Sequence, residues 1–465
     1  MNSVIDIASA IRSGKTRAVD AVICALENVH RYNDKINAFV FIDAEGALAL
    51  AAAIDKTIAR GGDPGPLAGV PIGVKDNDLV CGMPTRRGSL LCRDATPETI
   101  ESVHIARLLR AGAIPIGKVA MAEFGLDGVT HTLAHGTTRN PWRLDRTPAG
   151  SSGGSSAAVS ASMVPLCTGS DALGSIRCPA GFTGLVGLKP SKGRIPSLNG
   201  FVDTSSFGAL TATVADTARY LDAVAGPDDC DRTSLPAPTV SYERAIVELD
   251  VRGLRVAYSS NLGYAPVTDD VARICRAAFE RLCGVAELIC LDDQYSCTNA
   301  YAEWNALAAL KIKGEFERQG FLPGNIDLIS PGPRKFIEGA KSLTLAQQAE
   351  YEAVLRKLEH EIADLFRYVD ILITPTACCE AYEAEGPLPV VIEGRDASRT
   401  NAEPYTAVGS ICWNPSISVP AGLSKNGLPI GLLINARRHC DDVALRLARI
   451  WEEMAPWPLH APGYG

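Results

Sequence analysis

The sequence has no block of basic residues, and its overall charge is negative. Forty-five lysines and arginines face 53 aspartates and glutamates, which gives a net charge of −8 at pH 7. A nucleic-acid-binding surface needs concentrated positive charge to neutralise phosphates. No apolar run reaches the roughly 18 residues that a membrane-spanning helix requires. We therefore expect no nucleic-acid partner and no membrane partner.

No CxxC pair occurs either, although the chain has fourteen cysteines. The first thirty residues place Asp6 inside their first apolar patch, so they predict two amphipathic helices rather than a signal peptide. Scattered cysteines without an export signal indicate reduced thiols in a cytoplasmic protein. His131 and His135 are four positions apart, but their context is loop-like and has no acid between them, so we expect no metal site.

Short apolar runs recur along the chain and alternate with helical patterns. The ten runs span residues 68–75, 113–119, 163–169, 185–190, 208–213, 254–260, 286–291, 370–376, 414–420 and 430–436. Most are apolar throughout, which is typical of strands covered on both faces. Helical patterns include residues 101–113 and 345–369. The chain thus predicts an α/β fold, a three-layer α/β/α sandwich with a helical N-terminal arm, and polar residues 225–242 at the surface.

Serine and glycine dominate residues 146–181, which contain eight serines, six glycines and no histidine. A phosphate-binding loop is one interpretation, but the lysine of a P-loop and the GxGxxG spacing are missing. A structural loop that allows close backbone packing is the second interpretation. The third is a nucleophile site, in which a serine hydroxyl attacks a carbonyl group and backbone N–H groups hold the oxyanion.

A serine nucleophile in this stretch would need a base other than histidine. The letters GSSGG fit the GxSxG elbow around Ser152, but polar residues 143–149 precede it where the elbow needs an apolar strand. A lysine serves as a base when burial lowers its pKa. Lys75 ends the apolar run VPIGVK and is the candidate, with a solvated lysine at a strand end as the alternative.

Together these motifs resemble the amidase signature family of serine hydrolases. The resemblance rests on LAGVPIGVKDN around Lys75, on residues 139–196, and on DILITPT and NPSISVPAGLSKNGLPIGLLI near the C-terminus. It covers nearly the whole chain. It implies one large mixed β-sheet inside the helical layers, a small-molecule amide as the substrate, and no metal or organic cofactor.

The resemblance also implies a Ser–Ser–Lys triad. Ser175 matches the nucleophile, Ser151 the bridging serine and Lys75 the base. A cis peptide bond is implied at Gly150–Ser151. Neutral Lys75 would take the proton of Ser175 through Ser151, and Ser152 would help to orient Lys75.

The loop before the nucleophile supplies further candidates. Its backbone N–H groups would form the oxyanion hole, from Ala172, Leu173, Gly174 and Ser175. Asp171 and Arg177 flank the loop, and we expect them to pair and brace it. The family usually reads Asp-Thr-Gly-Gly-Ser here, so Leu173 adds bulk beside the oxyanion donors and predicts an altered loop or acyl pocket.

The substrate pocket has weaker candidates. Tyr301 and Trp304 lie three positions apart on one helical face, in the segment where the family varies its pocket wall. They would either line an aromatic pocket or pack in the core. With Leu173 and Gly125 they complete the predicted pocket, which would suit a small or aromatic carboxamide or an anilide.

We expect a single catalytic domain over residues 1–465. Its parts are a helical N-terminal arm (1–62), a core with the triad (66–220), a variable pocket-wall segment (291–345) and the C-terminal part of the core (346–465). The expected activity is hydrolysis of a linear carboxamide C–N bond through an acyl-Ser175 intermediate, by a chain that acts alone or as a homodimer. The alternatives are the catalytic subunit of a tRNA-dependent amidotransferase and a catalytically silent protein with the same fold.

Overall fold

Capping side chains set where several helices of this chain begin. In the computed structural model, which describes residues 2–197, 202–340 and 343–465, five helices follow a serine or threonine whose hydroxyl accepts a hydrogen bond from the N–H three residues later. That bond replaces a partner that the first helical turn lacks. The α-helices of these residues are α1 (Val4–Arg12), α2 (Ala18–Ile36), α3 (Ala44–Ala59), α4 (Val103–Arg110), α5 (Gly153–Ser160), α6 (Arg177–Thr183), α7 (Val214–Val224), α8 (Tyr242–Glu248), α9 (Asp269–Val285), α10 (Tyr301–Arg318), α11 (Pro331–Gly339), α12 (Leu345–Tyr368), α13 (Pro404–Ile411) and α14 (Asp441–Met454).

The strands of the described residues form one large sheet and two small hairpins. They are β1 (Phe39–Ile42), β2 (Pro71–Lys75), β3 (Ile114–Val119), β4 (His131–Thr132), β5 (Gly136–Thr137), β6 (Leu166–Asp171), β7 (Val186–Lys189), β8 (Ser206–Thr211), β9 (Arg255–Tyr258), β10 (Ile289–Asp292), β11 (Ile371–Pro375), β12 (Val391–Ile392), β13 (Arg395–Asp396), β14 (Ser416–Leu423) and β15 (Pro429–Ala436). Eleven of them make the large sheet, in the order β1-β3-β2-β6-β8-β7-β14-β15-β11-β9-β10. Strands β4 with β5, and β12 with β13, form the hairpins.

The large sheet is mixed. Strand β2 runs parallel to β3 and β6, and β9 runs parallel to β10 and β11, whereas the other neighbours are antiparallel. Each of the ten apolar runs in the sequence contributes one of these strands, so the prediction of a large sheet with apolar strands is confirmed.

Helices cover both faces of the sheet. On one face α6 packs directly on the strands, and a Cβ at Gly187 of β7 would lie only 2.5 Å from Ala180 Cβ. On the other face, Ile417 of β14 and Leu432 of β15 belong to the same hydrophobic cluster as Leu445 of α14. Alternate residues of a strand face opposite sides, so the architecture is the predicted three-layer sandwich.

The N-terminal arm contains one element beyond its helices. Helices α1, α2 and α3 account for most of it, and the first two are the predicted amphipathic pair. Between α2 and α3 the strand β1 pairs antiparallel with β3, with Phe39 opposite Val119, and forms one edge of the sheet. Four residues between two helices are too few for an alternating pattern to reveal a strand.

The remaining predicted segments fall as follows. Helices α4 and α12 occupy the two helical patterns at residues 101–113 and 345–369. Residues 225–241 form neither helix nor strand. The variable segment 291–345 contains α10 and α11, while its residues 341–342 lie outside the described residues. Among the helices of the described residues, none combines the length and apolar character that crossing a bilayer requires.

Candidate active site

Lys75 is the last residue of β2, and its side chain is fully buried. Its strand is buried along its whole length, so the apolar run carries the lysine into the interior. Nζ donates hydrogen bonds to Ser151 Oγ at 2.8 Å and to Ser152 Oγ at 2.7 Å. It also lies 3.0 Å from Ser170 Oγ and 3.3 Å from the Ser170 carbonyl oxygen. The alternative of a solvated lysine at a strand end does not describe this residue.

The environment of Lys75 favours its neutral form. Burial lowers the pKa of Lys75 from 10.5 to about 7, while the negative charges of Asp78 and Asp171 oppose part of that shift. The cause is desolvation, which disfavours an ammonium ion more than a neutral amine. Near neutral pH a large fraction of the molecules therefore holds an amine that can accept a proton.

Ser151 and Ser152 lie directly before α5, against the predicted nucleophile. The Gly150–Ser151 peptide bond is cis, as the resemblance implies. The N–H of Ala122 donates to the carbonyl oxygen of Ser151 at 3.0 Å, and the N–H of Ser152 donates to that of Ser175 at 3.2 Å. The chain before Ser152 is irregular rather than a strand, so the GxSxG match is fortuitous.

Ser175 occupies the turn between β6 and α6 and is half-buried. Its Oγ makes no hydrogen bond with any other described residue, yet it is not among the enclosed polar atoms that lack a partner. The hydroxyl group is therefore open to solvent. A small substrate could reach it while the chain segment of Ser151 and Ser152 lies alongside.

The loop at residues 172–175 presents a row of backbone donors. None of its four N–H groups has an acceptor among the described residues. Gly174 has a φ of +153°, and a Cβ there would lie 2.6 Å from Thr406 Oγ1 and 3.1 Å from Cys178 Sγ. Only glycine fits this position. Consecutive unpaired N–H groups beside a serine hydroxyl are what an oxyanion hole requires.

Asp171 and Arg177 form the buried ion pair expected at the two ends of this loop. Nε and Nη2 of Arg177 donate to the two carboxylate oxygens at 2.9 and 2.8 Å, and neither side chain is exposed. Nη1 of Arg177 also donates to the carbonyl oxygen of Thr406 and to Ser416 Oγ, and Nη2 donates to Ser410 Oγ. Its guanidinium group is thus fully used by the protein, which supports a bracing role.

Two hydroxyl groups beside Lys75 are not singled out from the sequence. Ser170 Oγ accepts hydrogen bonds from Lys75 Nζ and, at 2.9 Å, from Asn77 Nδ2. Thr168 Oγ1 accepts the backbone N–H of Lys75 at 2.9 Å. Both lie on β6, two positions apart, and therefore on one face of the strand. That spacing, just before the nucleophile loop, is the signal that could have identified them.

The predicted pocket residues lie in different surroundings. A Cβ at Gly125 would be 3.5 Å from Ser151 Oγ, so this glycine borders the serine pair. Leu173 is partly buried against a second hydrophobic cluster, built mainly from α10, α12 and α13. Tyr301 packs against the same cluster, and its hydroxyl accepts a hydrogen bond from Asn401 Nδ2 at 3.4 Å.

Trp304 lies within that second cluster and is only 9% exposed. It borders a cavity of about 220 Å³ together with Val202, Leu307 and Leu355, and no triad residue lines this cavity. Core packing, which the sequence leaves open as an alternative, describes the place of Trp304.

A carboxyl group that the sequence analysis misses lies behind the nucleophile loop. Glu403 precedes α13, and Thr406 Oγ1 donates to its carbonyl oxygen at 3.0 Å. Burial raises the pKa of Glu403 to about 8, helped by the negative charges of Asp171 and Asp127. Its Oε1 is enclosed without a hydrogen-bond partner among the described residues. At neutral pH this carboxyl group is therefore mostly uncharged.

Histidine and cysteine do not assemble into a metal centre in the described residues, where no group of three or more His, Cys, Asp or Glu side chains could hold an ion. Nδ1 of His131 lies 2.8 Å from Thr137 Oγ1 in the β4–β5 hairpin. All fourteen cysteines are free thiols.

Nearly the whole chain is similar to proteins of one family. The sequence model of the family described as Amidase matches residues 20–445. The chain is 33% identical to an acylamidase of Rhodococcus erythropolis over 471 residues, which cover 99% of this chain and 97% of that protein. It is 32% identical to a glutamyl-tRNA(Gln) amidotransferase subunit of Gloeobacter violaceus over 498 residues, which cover 99% and 98%. The solved structure of a bacterial aryl acylamidase of the amidase signature family superposes with a TM-score of 0.91 at 25% identity and covers 98% of this chain and 96% of that chain.

Proposed function

The chain belongs to the amidase signature family, and from that premise we propose that it hydrolyses a linear carboxamide through an acyl-Ser175 intermediate. It is a hydrolase of the carboxamide C–N bond, which releases ammonia or an amine and a carboxylic acid. Ser151 and Lys75 relay the proton. The observation that carries the proposal is the buried Lys75 amine, which donates to Ser151 Oγ within 2.8 Å beside the nucleophile loop.

The first half of the reaction acylates the enzyme. Neutral Lys75 takes the proton of Ser151 as Ser151 takes the proton of Ser175, whose Oγ attacks the amide carbonyl carbon. The carbonyl oxygen becomes an oxyanion, and the unpaired N–H groups of residues 172–175 stabilise it. The proton then returns through Ser151 to the nitrogen of the leaving amine, and the C–N bond breaks.

The second half releases the acid. Water replaces the departed amine, gives a proton to the same relay and attacks the acyl carbon. The bond between that carbon and Ser175 Oγ breaks, and Ser175 recovers its proton through Ser151. Ser152, 2.7 Å from Lys75 Nζ, holds the amine in line with the relay.

The substrate class follows from the loop and its surroundings. Leu173 packs against the apolar second cluster, and Glu403 behind the loop is mostly uncharged at neutral pH. We propose a neutral acyl group, such as a small or aromatic carboxamide or an anilide, with Tyr301 and Gly125 at the borders of its site. We propose in addition that residues 1–465 act as one catalytic domain in the cytoplasm, because one sheet takes its strands from β1 to β15.

A labelling experiment tests the nucleophile. A fluorophosphonate should add one adduct to the purified chain, at Ser175 in a peptide map, and Ser175→Ala should lose both labelling and amide hydrolysis. Ser160→Ala is the matched control, because Ser160 is also buried in this stretch but donates only to the carbonyl oxygen of Thr183. It should keep the adduct and the activity. Turnover of Ser175→Ala at the wild-type rate would contradict the mechanism.

The similarity to a glutamyl-tRNA(Gln) amidotransferase subunit supports one alternative. A protein of that kind passes ammonia to partner subunits, and its nucleophile loop keeps the family's threonine and glycines, where this chain has Ala172 and Leu173. Ammonia release by the chain alone distinguishes the two. We expect hydrolysis of several simple primary amides, whereas turnover restricted to glutamine would favour the amidotransferase role.

A further inference from the structure

Asp78 lies three residues beyond Lys75, and the reaction described above does not use its carboxylate. Its N–H donates to the carbonyl oxygen of Lys75 at 3.0 Å, which folds the chain back behind the base. The side chain is 0% exposed. Its Oδ1 is enclosed and has no hydrogen-bond partner among the described residues. An enclosed carboxylate that is only partly hydrogen-bonded destabilises a fold, so its place beside the base points to a role there.

Thr168 connects this carboxylate to the base. Its Oγ1 accepts the backbone N–H of Lys75 at 2.9 Å and donates to Asp78 Oδ2 at 2.7 Å. A threonine hydroxyl has one proton. Because its oxygen accepts from Lys75, that proton points to Asp78. The carboxylate is therefore held as an acceptor, and the end of β2 that carries the base is held with it.

Two cationic or basic side chains enclose Asp78 from other elements. Nε2 of His104, on α4, lies 3.3 Å from Asp78 Oδ2, within ion-pair distance but outside hydrogen-bond geometry. The His104 ring packs on Phe207 with its centroid 4.6 Å away, and 1% of the residue is exposed. Nζ of Lys118, on β3, donates to the carbonyl oxygen of Asp78 and lies 3.1 Å from Thr85 Oγ1.

We infer that Asp78 is a positioning residue for Lys75. Through Thr168 it fixes the backbone of the base, and its buried negative charge stabilises the Lys75 ammonium ion that forms whenever the relay takes a proton. This inference rests on the proposed function of Lys75. A base that is only desolvated releases protons easily but takes them up poorly, and a fixed carboxylate behind it restores part of its proton affinity.

Other charges also act on this pair. The groups around Lys75 and Asp78 are Asp76 beside them, Asp171 on β6, Lys118 on β3, His104 on α4 and Tyr220 on α7. Asp76 is engaged elsewhere, since its carboxylate accepts the backbone N–H groups of Arg86 and Gly88. Asp171 is paired with Arg177. Asp78 is thus the carboxylate near Lys75 that has neither several N–H donors nor an arginine to balance it.

Asp78→Asn tests the inference, because it removes the charge and keeps the shape. Without the carboxylate the ammonium form of Lys75 is less stable, so the pH at which kcat/KM reaches half its plateau should fall by roughly one unit. The plateau itself should fall about tenfold, since the same ammonium ion forms in the rate-limiting transfer. A residue with only a structural role would lower the plateau without moving the midpoint.

Three variants complete the experiment. Asp78→Glu keeps the charge and should restore the wild-type midpoint. Asp78→Ser removes the charge but keeps a hydroxyl group for Thr168, and it replaces the asparagine variant if that variant does not fold. Asp216→Asn removes another fully buried carboxylate, one that accepts the N–H of Ile5, and should leave the midpoint in place.

The outcomes separate this inference from the proposed function. Selective ¹³C labelling of lysine, with the Lys75 signal assigned by its loss in Lys75→Met, reports the Lys75 titration directly and without turnover. A lower midpoint in Asp78→Asn than in the wild type by both measurements supports the inference. An unchanged midpoint, in a folded variant without charge at position 78, overturns it while leaving the base assigned. A wild-type pH profile without any ionisation of Lys75 would overturn the proposed function instead.

Discussion

Thr406 Oγ1 donates a hydrogen bond of 2.6 Å to the carbonyl oxygen of Leu173, although the two residues are 233 positions apart. The bond ties α13 to the loop that precedes Ser175. The carbonyl oxygen of Thr406 also accepts Nη1 of Arg177 at 2.8 Å, so Thr406 meets the loop and its bracing arginine together. The direction of the unpaired N–H groups in the loop therefore depends on a residue from the far end of the chain.

Thr406→Val should lower kcat far more than it raises KM. The variant keeps the size of the side chain but removes the donor to Leu173, so the oxyanion donors lose their fixed direction. A displacement of about 1 Å in such a site can cost roughly 100-fold in rate, and we expect a loss of 10- to 100-fold. Thr406→Ser keeps the hydroxyl group and should recover most of the activity. If both variants match the wild type, the loop does not need this tether.

Activity should rise with pH through a midpoint near 7. Only the neutral Lys75 amine accepts the proton, and burial lowers the pKa of Lys75 to about 7. Lys75→Met should reduce kcat by roughly 10²- to 10⁴-fold. The matched control is Lys189→Met, since Lys189 is also fully buried with a pKa lowered to about 7 by burial, and donates only to the carbonyl oxygen of Pro190. The control should keep the wild-type midpoint.

Stability offers a second measurement on the same lysine. Between pH 7 and 10.5 the unfolded chain holds a proton on Lys75 that the folded protein has released, so unfolding takes up that proton. The free energy of unfolding should therefore increase with pH across this range because of Lys75. Denaturant titrations of the wild type and of Lys75→Met should show that slope only in the wild type. The same slope in both proteins would mean that Lys75 is charged in the folded state.

Local sequence predicts one half of the site and not the other. Lys75, Ser151 and Ser175 belong to motifs whose apolar runs or small residues mark them, and the ion pair of Asp171 with Arg177 spans only six positions. Thr406, by contrast, reaches the loop from a distant helix. Neither its neighbours nor its spacing indicate that contact, because the sheet order that brings β6 near β14 and β15 depends on pairing across the whole chain.

The fold shows the same division. All ten apolar runs form strands, because burial on both faces leaves a strong pattern in the sequence. The edge strand β1 has four residues and leaves none. Trp304 is ambiguous in the sequence for a related reason, since an aromatic residue on a helix has the same spacing whether it lines a pocket or a core.

Glu403→Gln should remove a decline in activity above pH 8. Burial raises the pKa of Glu403 to about 8, so at higher pH a negative charge appears behind the loop that must stabilise an oxyanion. The wild-type kcat should fall through that range, and that of the glutamine variant should not. Asp396→Asn, at an exposed carboxylate in the β12–β13 hairpin, should decline as the wild type does. Equal alkaline decline in Glu403→Gln would contradict the prediction.

The same group should affect stability in a defined direction. Between pH 4.5 and about 8 the folded protein keeps a proton on Glu403 that the unfolded chain has lost. The free energy of unfolding should therefore decrease with rising pH over this window because of Glu403. The glutamine variant should lack this component, and urea titrations at pH 5, 7 and 9 would measure it.

Leu173 should select acyl groups by size. It stands where the family has glycine, it is partly buried against the second cluster, and its carbonyl oxygen is held by Thr406. A leucine side chain fully buried against a ligand contributes roughly 1.5–3 kcal/mol, and it also fills volume that glycine leaves free. Removing the side chain should weaken binding of small acyl groups and admit larger ones.

Leu173→Ala and Leu173→Gly, read against Ala172→Gly, measure this selection. Leu173→Ala removes the side chain without adding backbone freedom, so kcat/KM for bulky acyl amides should rise relative to acetamide, with Leu173→Gly showing the larger ratio. Ala172→Gly loosens the loop and leaves Leu173 in place, and it should lower all substrates by a similar factor. Titration with the fluorophosphonate should still count one reactive Ser175 in each variant. If Leu173→Ala lowers every substrate equally, as Ala172→Gly is expected to do, Leu173 supports the loop from behind and does not shape the acyl pocket.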